Sequence, residues 1–346
     1  MFNKIRPFIF RFDPETAHNL AIKALKFSFI PSKPNKNYNF IRTKIFGKEI
    51  PNPVGLAAGF DKDAEVYNNI FKLGFGFVEV GTVTPLKQYG NPKPRVFRLE
   101  EDLALINRLG FNNSGSDKVQ RRIKLNPPKG LFGINIGPNK DTKNRVEDYL
   151  IGLRKFYNLA DYLTINISSP NTENLRSFHN QNELKELLDA IDKEKKKLKS
   201  SIKIVVKISP DISEIEIENI SKIILDFNIP ALIVSNTSDN SRHLLKNINK
   251  LEKGGLSGKP IEKKSNNIIN KFYQNLGKKT KIIGVGGIDS AESAYDKIIN
   301  GASLIQLYTG MVYRGPDIAN KISRDLNILV EKQGVTNISE LIGTKK

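Results

Sequence analysis

Eight short apolar runs, at residues 53–59, 77–83, 131–137, 162–169, 202–209, 231–237, 281–288 and 302–309, constrain the fold of this chain more than any other feature. Amphipathic segments follow them, at 64–73, 145–157, 213–226, 263–276 and 290–299. A strand, a helix and a second strand in succession pair in parallel, because the helix carries the chain back to the starting edge of the sheet. Eight such units predict an α/β fold, a closed (β/α)₈ barrel with a small helical extension at its N-terminus. A doubly wound open sheet is the competing layout. No Gly-x-Gly-x-x-Gly follows the first run, which counts against the dinucleotide-binding form of that sheet.

With 39% hydrophobic residues the chain can build a full core without covalent staples. Zero cysteines exclude disulfides, thiolate metal sites, iron–sulfur clusters and cysteine nucleophiles. His18, His179 and His243 are scattered without ligand spacing, so no metal site is expected. The formal charge of +19, from 55 basic and 36 acidic residues, invites a nucleic acid or an anionic membrane surface as partner. Nucleic acid is not expected. Lysines spread through segments such as 183–199, where mixed signs mark a solvated helix face, and no nucleic-acid motif is present.

Residues 1–36 differ from the rest. Phe2, Ile5, Ile9 and Phe12 fall at helical spacing; beyond Asp13 and Pro14, an N-cap and N1 pair, Ala17, Leu20, Ala21, Ala24 and Leu25 make a second apolar stripe. Lys4, Arg6, Arg11, Lys23 and Lys26 flank the stripes, against Asp13 and Glu15. Arg6 and Arg11 interrupt the apolar run, so it is not a signal peptide, and nowhere do 18 apolar residues occur in a row. A helix pair lying on an anionic membrane surface is one reading; stripes that pack on the main domain are the other. Residues 37–346 then form the barrel, interrupted at 84–130 by a long insertion read as a lid over its mouth.

Polar residues collect where the runs end, and in a barrel those ends share the face that carries active sites. Within the fourth run, Ile165 and Ile167 mark one strand face, and Pro170 has no N–H for the ladder, so the strand is expected to stop near Ser169. That crowds Asn166, Ser168, Ser169 and Asn171 at one strand end; a plain Ser-Pro-Asn turn is the alternative. Lys62 follows the first run, Thr82 the second, Asn135 lies on the third and Lys207 on the fifth. Ser235, Asn236 and Thr237 close the sixth, Gly286 and Gly287 the seventh, Tyr308 and Thr309 the eighth. Glycines at 254, 255, 258, 284, 286, 287 and 310 let backbone amides approach an anion, and barrel loops after strands seven and eight commonly bind phosphate. A phosphorylated cofactor is the natural ligand. Lys207 must meet a negative group or snorkel out, and facing a cofactor ring its charge would favour an electron-rich reduced state. A Schiff-base role for Lys207 or Lys62 is the rival.

The segments Ala57-Ala58-Gly59-Phe60-Asp61-Lys62-Asp63, Glu79-Val80-Gly81-Thr82-Val83-Thr84-Pro85, Asn107-Arg108-Leu109-Gly110-Phe111-Asn112, Asn166-Ile167-Ser168-Ser169-Pro170-Asn171, Gly254-Gly255-Leu256-Ser257-Gly258 and Gly284-Val285-Gly286-Gly287-Ile288 resemble, in order, the motifs of the dihydroorotate dehydrogenase family. Ser169, where soluble relatives carry cysteine, and the Asp13-Pro14-Glu15-Thr16-Ala17-His18 stretch resemble its membrane-associated, quinone-dependent class. A soluble relative using fumarate or nicotinamide is the alternative.

The resemblance implies an FMN-dependent oxidoreductase of pyrimidine (UMP) synthesis that oxidises (S)-dihydroorotate to orotate, peripheral to the cytoplasmic face of the cell membrane. It implies FMN held by Ala57, Ala58, Gly59, Phe60, Asp61, Thr82, Asn135, Asn166, Lys207, Ser235, Gly258, Gly287, Tyr308 and Thr309. Dihydroorotate would be gripped by Lys62, Asn107, Arg108, Leu109, Gly110, Phe111, Asn166, Asn171, Asn236 and Thr237, with Ser169 as the base that removes the C5 proton while a hydride passes from C6 to flavin N5. Electrons would leave to a quinone entering between the N-terminal helices, past His18 and Arg98, with Tyr308 between flavin and quinone. Arg98 equally suits an ion pair that anchors the insertion. Two residues depart from the usual pattern: Ser235 where Thr is frequent, and Ala64 where Gly is common.

Overall fold

Runs of Val, Ile, Leu and Phe without a polar face demand burial on both sides, and a parallel barrel supplies it. The computed structural model describes residues 2–29, 38–172, 175–240 and 242–345. Eight strands build the barrel: β1 (Val54–Leu56), β2 (Phe77–Val83), β3 (Leu131–Ile136), β4 (Tyr162–Asn166), β5 (Lys203–Ile208), β6 (Ala231–Val234), β7 (Lys281–Val285) and β8 (Leu304–Leu307). They close in sequential order, every pair parallel, with β8 beside β1. This is the expected (β/α)₈ barrel, and the open sheet is excluded.

A helix follows each strand: Tyr67–Phe71, Ser116–Leu125, Arg145–Phe156, Gln181–Lys197, Glu214–Asp226, Glu262–Leu276, Ala291–Ile299 and Ile318–Glu331. Their apolar stripes bury against the outer faces of the strands in the main core. A second core fills the barrel, where Phe77, Tyr162, Val205, Ile233 and Ile283 meet Ile45 and Ile50. The last two sit on a hairpin, Thr43–Ile45 with Lys48–Ile50, that plugs the bottom. Two glycines make room for the large rings. A Cβ on Gly55 would lie 2.3 Å from the Phe77 ring, and one on Gly133 would lie 2.1 Å from the Tyr162 ring.

Strands end earlier than their apolar runs. β4 stops at Asn166, not near Ser169: the Ile167 N–H still reaches the Lys207 carbonyl at 3.3 Å, but the Ser168 N–H turns onto Asn166 Oδ1 at 3.2 Å, a side chain replacing the ladder. The first helix is also shorter than the 64–73 stripe. Buried Asp61 accepts the Glu65 and Val66 N–H groups, each at 2.8 Å, and sets its start. Ala64 takes a left-handed φ of 52°, which explains why glycine suits that position.

The 84–130 insertion holds two kinds of structure. Strands Val96–Leu99 and Ala104–Asn107 pair as a hairpin, and Gly255–Gly258, from the loop after β6, adds a third antiparallel strand. Its remaining helix, Ser116–Leu125, belongs to the barrel wall, with Val119 and Ile123 buried.

Two helices precede the barrel, α1 (Phe2–Ile9) and α2 (Pro14–Lys26). Asp13 caps α2, its Oδ2 accepting the Thr16 N–H at 2.9 Å. The predicted stripes divide: Ala17 and Leu25 pack inward, whereas Ile5, Phe8, Phe12, Leu20 and Phe27 are exposed. Among the described residues no helix is long and apolar enough to cross a membrane. The boundary expected near residue 36 lies outside the described residues.

Candidate active site

The strand tips surround a cleft of about 90 Å³. Of the predicted cofactor residues, Ala57, Ala58, Lys207, Ser235, Gly258, Gly287, Tyr308 and Thr309 line it, and of the predicted substrate residues, Asn107, Asn236 and Thr237. Lys207 Nζ has no hydrogen-bond partner among the described residues, although the side chain is buried. Burial lowers its pKa, and Glu79 acts in the opposite sense. A buried amine in this state suits an anionic or electron-rich ligand.

Glycines let the loops around the cleft pack closely on their neighbours. Gly287 has φ +78°, and a Cβ there would lie 2.4 Å from Glu262 Cβ; Gly258, at φ +99°, would press on the Leu103 carbonyl at 2.3 Å. Ser257 Oγ and Thr309 Oγ1 are 2.8 Å apart, tying the loop after β6 to the tip of β8. These features, the unpartnered amine and the glycine-lined wall, fit a flavin mononucleotide.

Thr82, Asn135 and Asn166 lie behind the cleft wall in one hydrogen-bond network. Thr82 Oγ1 donates to Asn135 Oδ1 at 2.6 Å, and Asn166 Nδ2 donates to Thr82 Oγ1 at 3.0 Å and to Asn135 Oδ1 at 3.1 Å. Ser168 Oγ donates to Asn166 Oδ1 at 2.8 Å and accepts from Asn236 Nδ2 at 2.9 Å. Next to this, buried Ser169 Oγ accepts the Asn171 N–H at 3.2 Å, and Asn171 Nδ2 donates to the Asn107 carbonyl at 3.1 Å. The fourth-strand end is thereby stitched to the hairpin over the mouth. The Schiff-base rival gains no support from this chemistry, in which amides and hydroxyls dominate.

A second cavity, of about 300 Å³, lies between α2 and the mouth. Lys62, Asp61, Phe60, Leu109, His18 and Tyr308 line it, so Tyr308 borders both chambers. Burial pulls the Lys62 amine down to about 8, opposed by Glu15 and Asp63. His18 is driven down to about 3 by burial and by the Lys62 charge, which keeps the imidazole neutral. Its ring stands edge-on to Phe60 at 5.1 Å, and Phe60 to Tyr308 at 5.9 Å, an aromatic line from α2 to β8. Burial raises the Tyr308 phenol to about 12. The Oδ1 of Asn112, which borders the same cavity, is a buried acceptor without a partner among the described residues.

Other predicted site residues are turned to different tasks. Arg108 donates to Glu252 Oε2 at 2.7 Å and to the Pro94 carbonyl at 2.9 Å, and stacks over Phe97; its guanidinium holds the loop after β6. Gly110 and Phe111, at φ +71° and +52°, shape the turn, with the Gly110 carbonyl accepting Gln88 Nε2 at 2.9 Å. Gly59, at φ +103°, faces Tyr308, whose ring would lie 3.7 Å from a Cβ there. Arg98 makes hydrogen bonds in place of the alternative ion pair: it donates to the carbonyls of Phe10 and Phe12, at 3.2 and 2.8 Å, and lies over the Phe10 ring. Arg95, which carries no sequence signal of its own, grips Glu15 of α2 with Nε and Nη2 at 3.0 and 2.9 Å.

Comparison with known proteins gives the family. The dihydroorotate dehydrogenase family model matches residues 40–330. The dihydroorotate dehydrogenase (quinone) of Bartonella tribocorum is 46% identical over 339 residues, covering 97% of this chain and 94% of the relative; that of Brucella anthropi is 44% identical, covering 96% and 93%. A crystal structure of the Eimeria tenella enzyme in complex with ferulenol superposes with a TM-score of 0.93 at 37% identity, covering 96% of this chain and 95% of that one. The ligand-free form of the same protein gives 0.91. The chain therefore belongs to the dihydroorotate dehydrogenase family, within its quinone-dependent class, and is an oxidoreductase.

Proposed function

We propose that this protein oxidises (S)-dihydroorotate to orotate in pyrimidine (UMP) synthesis, with FMN in the strand-tip cleft and a membrane quinone as final acceptor. The observation that carries the reading is the buried, unpartnered Lys207 amine in a cleft that also gathers Asn107, Asn236 and Thr237. Bound there, FMN supplies the hydride acceptor. Lys207 places positive charge beside the ring, and the glycine loops at 258 and 287 take the phosphate.

The chain's own groups do the rest. Asn107, Asn166, Asn171, Asn236 and Thr237 present donors and acceptors to a pyrimidine edge, and Lys62 supplies positive charge to its carboxylate. Ser169 Oγ removes the C5 proton. A serine hydroxyl is a weak base, so its proton passes on through neighbouring Thr or Asn groups or water, and the Asn171 N–H on Oγ steadies the charge as it develops.

Residues 1–36 form the route for quinone and the barrel at 37–346 the catalytic unit, with the hairpin in the 84–130 insertion as lid. The cavity holding His18 is the quinone chamber. Exposed Phe8, Phe12, Leu20 and Phe27, with Lys23 and Lys26 nearby, suit an anionic membrane surface at the cytoplasmic face, a peripheral attachment. The test is an absorbance spectrum of purified protein before and after anaerobic dihydroorotate. A flavin band that bleaches on addition is the expected result; a colourless protein, or a band that persists, overturns the reading.

A further inference from the structure

Glu79 sits on β2 at the centre of the barrel, fully buried. Four neutral donors converge on it from three other strands: Asn135 Nδ2 on Oε1 at 2.9 Å, and Tyr162 OH, Thr164 Oγ1 and Gln306 Nε2 on Oε2, each at 3.1 Å. No cation touches it within salt-bridge distance among the described residues, and its charge acts on buried Lys207 in the cleft above. A carboxylate is acceptor-only, so it forces Asn135 to present its NH₂ downward and its oxygen to the mouth.

That choice propagates. Asn135 Oδ1 accepts from Thr82 Oγ1 and Asn166 Nδ2, so Asn166 turns its own oxygen to Ser168. Ser168 Oγ, having donated, accepts from Asn236 Nδ2, and Asn236 Oδ1 takes the Thr237 N–H at 2.7 Å. Each step has one polarity: Glu79 sets that of Asn135, and the backbone N–H groups of Ser168 and Thr237 pin Asn166 and Asn236 in the sense that matches it. Reversing the first amide would set oxygen against oxygen at the barrel centre, a cost borne in a low-dielectric interior.

We propose that Glu79 is a positioning residue that fixes the donor and acceptor sense of Asn135, the amide that holds Thr82 and Asn166 in place, and provides the counter-charge to Lys207. This rests on the flavin dehydrogenase reading above. Through Asn135 Glu79 steadies the asparagine network that reads a pyrimidine edge; through Lys207 it sets how strongly the site favours a reduced flavin.

The test uses flavin-loaded protein and compares wild type, E79Q and E79D by orotate titration of the flavin spectrum, spectroelectrochemistry and thermal unfolding. Glutamine keeps the shape, removes the charge and sets an NH₂ against one of the donors that the carboxylate now accepts, Asn135 on one side or Gln306 on the other. E79Q should weaken orotate at least tenfold and move the two-electron flavin equilibrium about tenfold toward the reduced form, about 30 mV more positive. E79D keeps the charge but shortens the reach, so it should weaken orotate while leaving the potential within twofold of wild type in equilibrium terms. A folded E79Q with both quantities within twofold of wild type overturns the proposal. Should E79Q not fold, E79D decides: unchanged orotate affinity overturns it and weakened affinity at wild-type potential supports it. A wild-type protein that dihydroorotate fails to bleach refutes the dehydrogenase reading instead.

Discussion

Changing Glu15 to Gln tests how the N-terminal helices are held over the second cavity. The Glu15–Arg95 pair is bidentate and largely buried, at 14% and 7% side-chain exposure, and Arg95 also donates to the Tyr89 and Asn91 carbonyls at 2.7 and 2.8 Å. Breaking a buried pair from one side costs about 3–5 kcal/mol. Glutamine keeps one hydrogen bond and the carbonyls keep part of the guanidinium satisfied, so a smaller cost, about 2–3 kcal/mol, applies here. That shifts the balance between docked and undocked α2 by roughly 30- to 150-fold. Trypsin cleavage at Lys23 and Lys26 should accelerate by a similar factor where cleavage samples the open form. Quinone reduction should fall, while flavin reduction by dihydroorotate at pH 7 stays within a few-fold of wild type. Unchanged cleavage together with unchanged quinone kinetics would refute the view that this pair holds the helices down.

Replacing Ser169 with Ala should slow flavin reduction by about 10²–10⁴, the range for general-base catalysis, at undiminished flavin content; a normal rate in stopped flow removes Ser169 as the base. Lys62, at about 8 in the free protein, binds an anionic substrate only when protonated, so kcat/KM for dihydroorotate should hold steady below pH 8 and fall about tenfold per unit above it. Lys62→Arg keeps its charge throughout that range, and its residual activity should lack this alkaline limb; a limb at the same pH assigns the titration to another group.

The barrel was legible because parallel strands buried on both faces leave uninterrupted apolar runs, and the eight runs map onto β1 to β8. Their ends were less so. Nothing in the run 162–169 announces that Asn166 Oδ1 will capture the Ser168 N–H and stop the strand three residues early. Gly254, Gly255 and Gly258 read as an anion loop by composition, yet their segment is also a strand paired with Ala104–Asn107, about 150 positions away in the chain. Pairing at that separation leaves no local periodicity to detect. Arg95 was invisible for the same reason, since its partner lies 80 residues earlier. Glu79 did carry a signal: a lone acid amid Phe77, Val78 and Val80, in a run otherwise suited to burial, has to find several donors.

The attachment of the first helices has a bearing on how the chain is made. Arg6 donates to the Tyr313 carbonyl, Phe10 packs edge-on against the Tyr313 ring, and the Tyr313 hydroxyl donates to Ala104. During synthesis α1 therefore emerges first but lacks its Tyr313 contacts until almost the entire polypeptide has left the ribosome, whereas Arg95 and Arg98 can receive α2 and the turn before it earlier. For that interval Phe8 and Phe10 are in the open, and a nascent chain in this state is sticky. A lipid surface or a chaperone that shelters this segment early would spare it from aggregation before the last βα unit arrives.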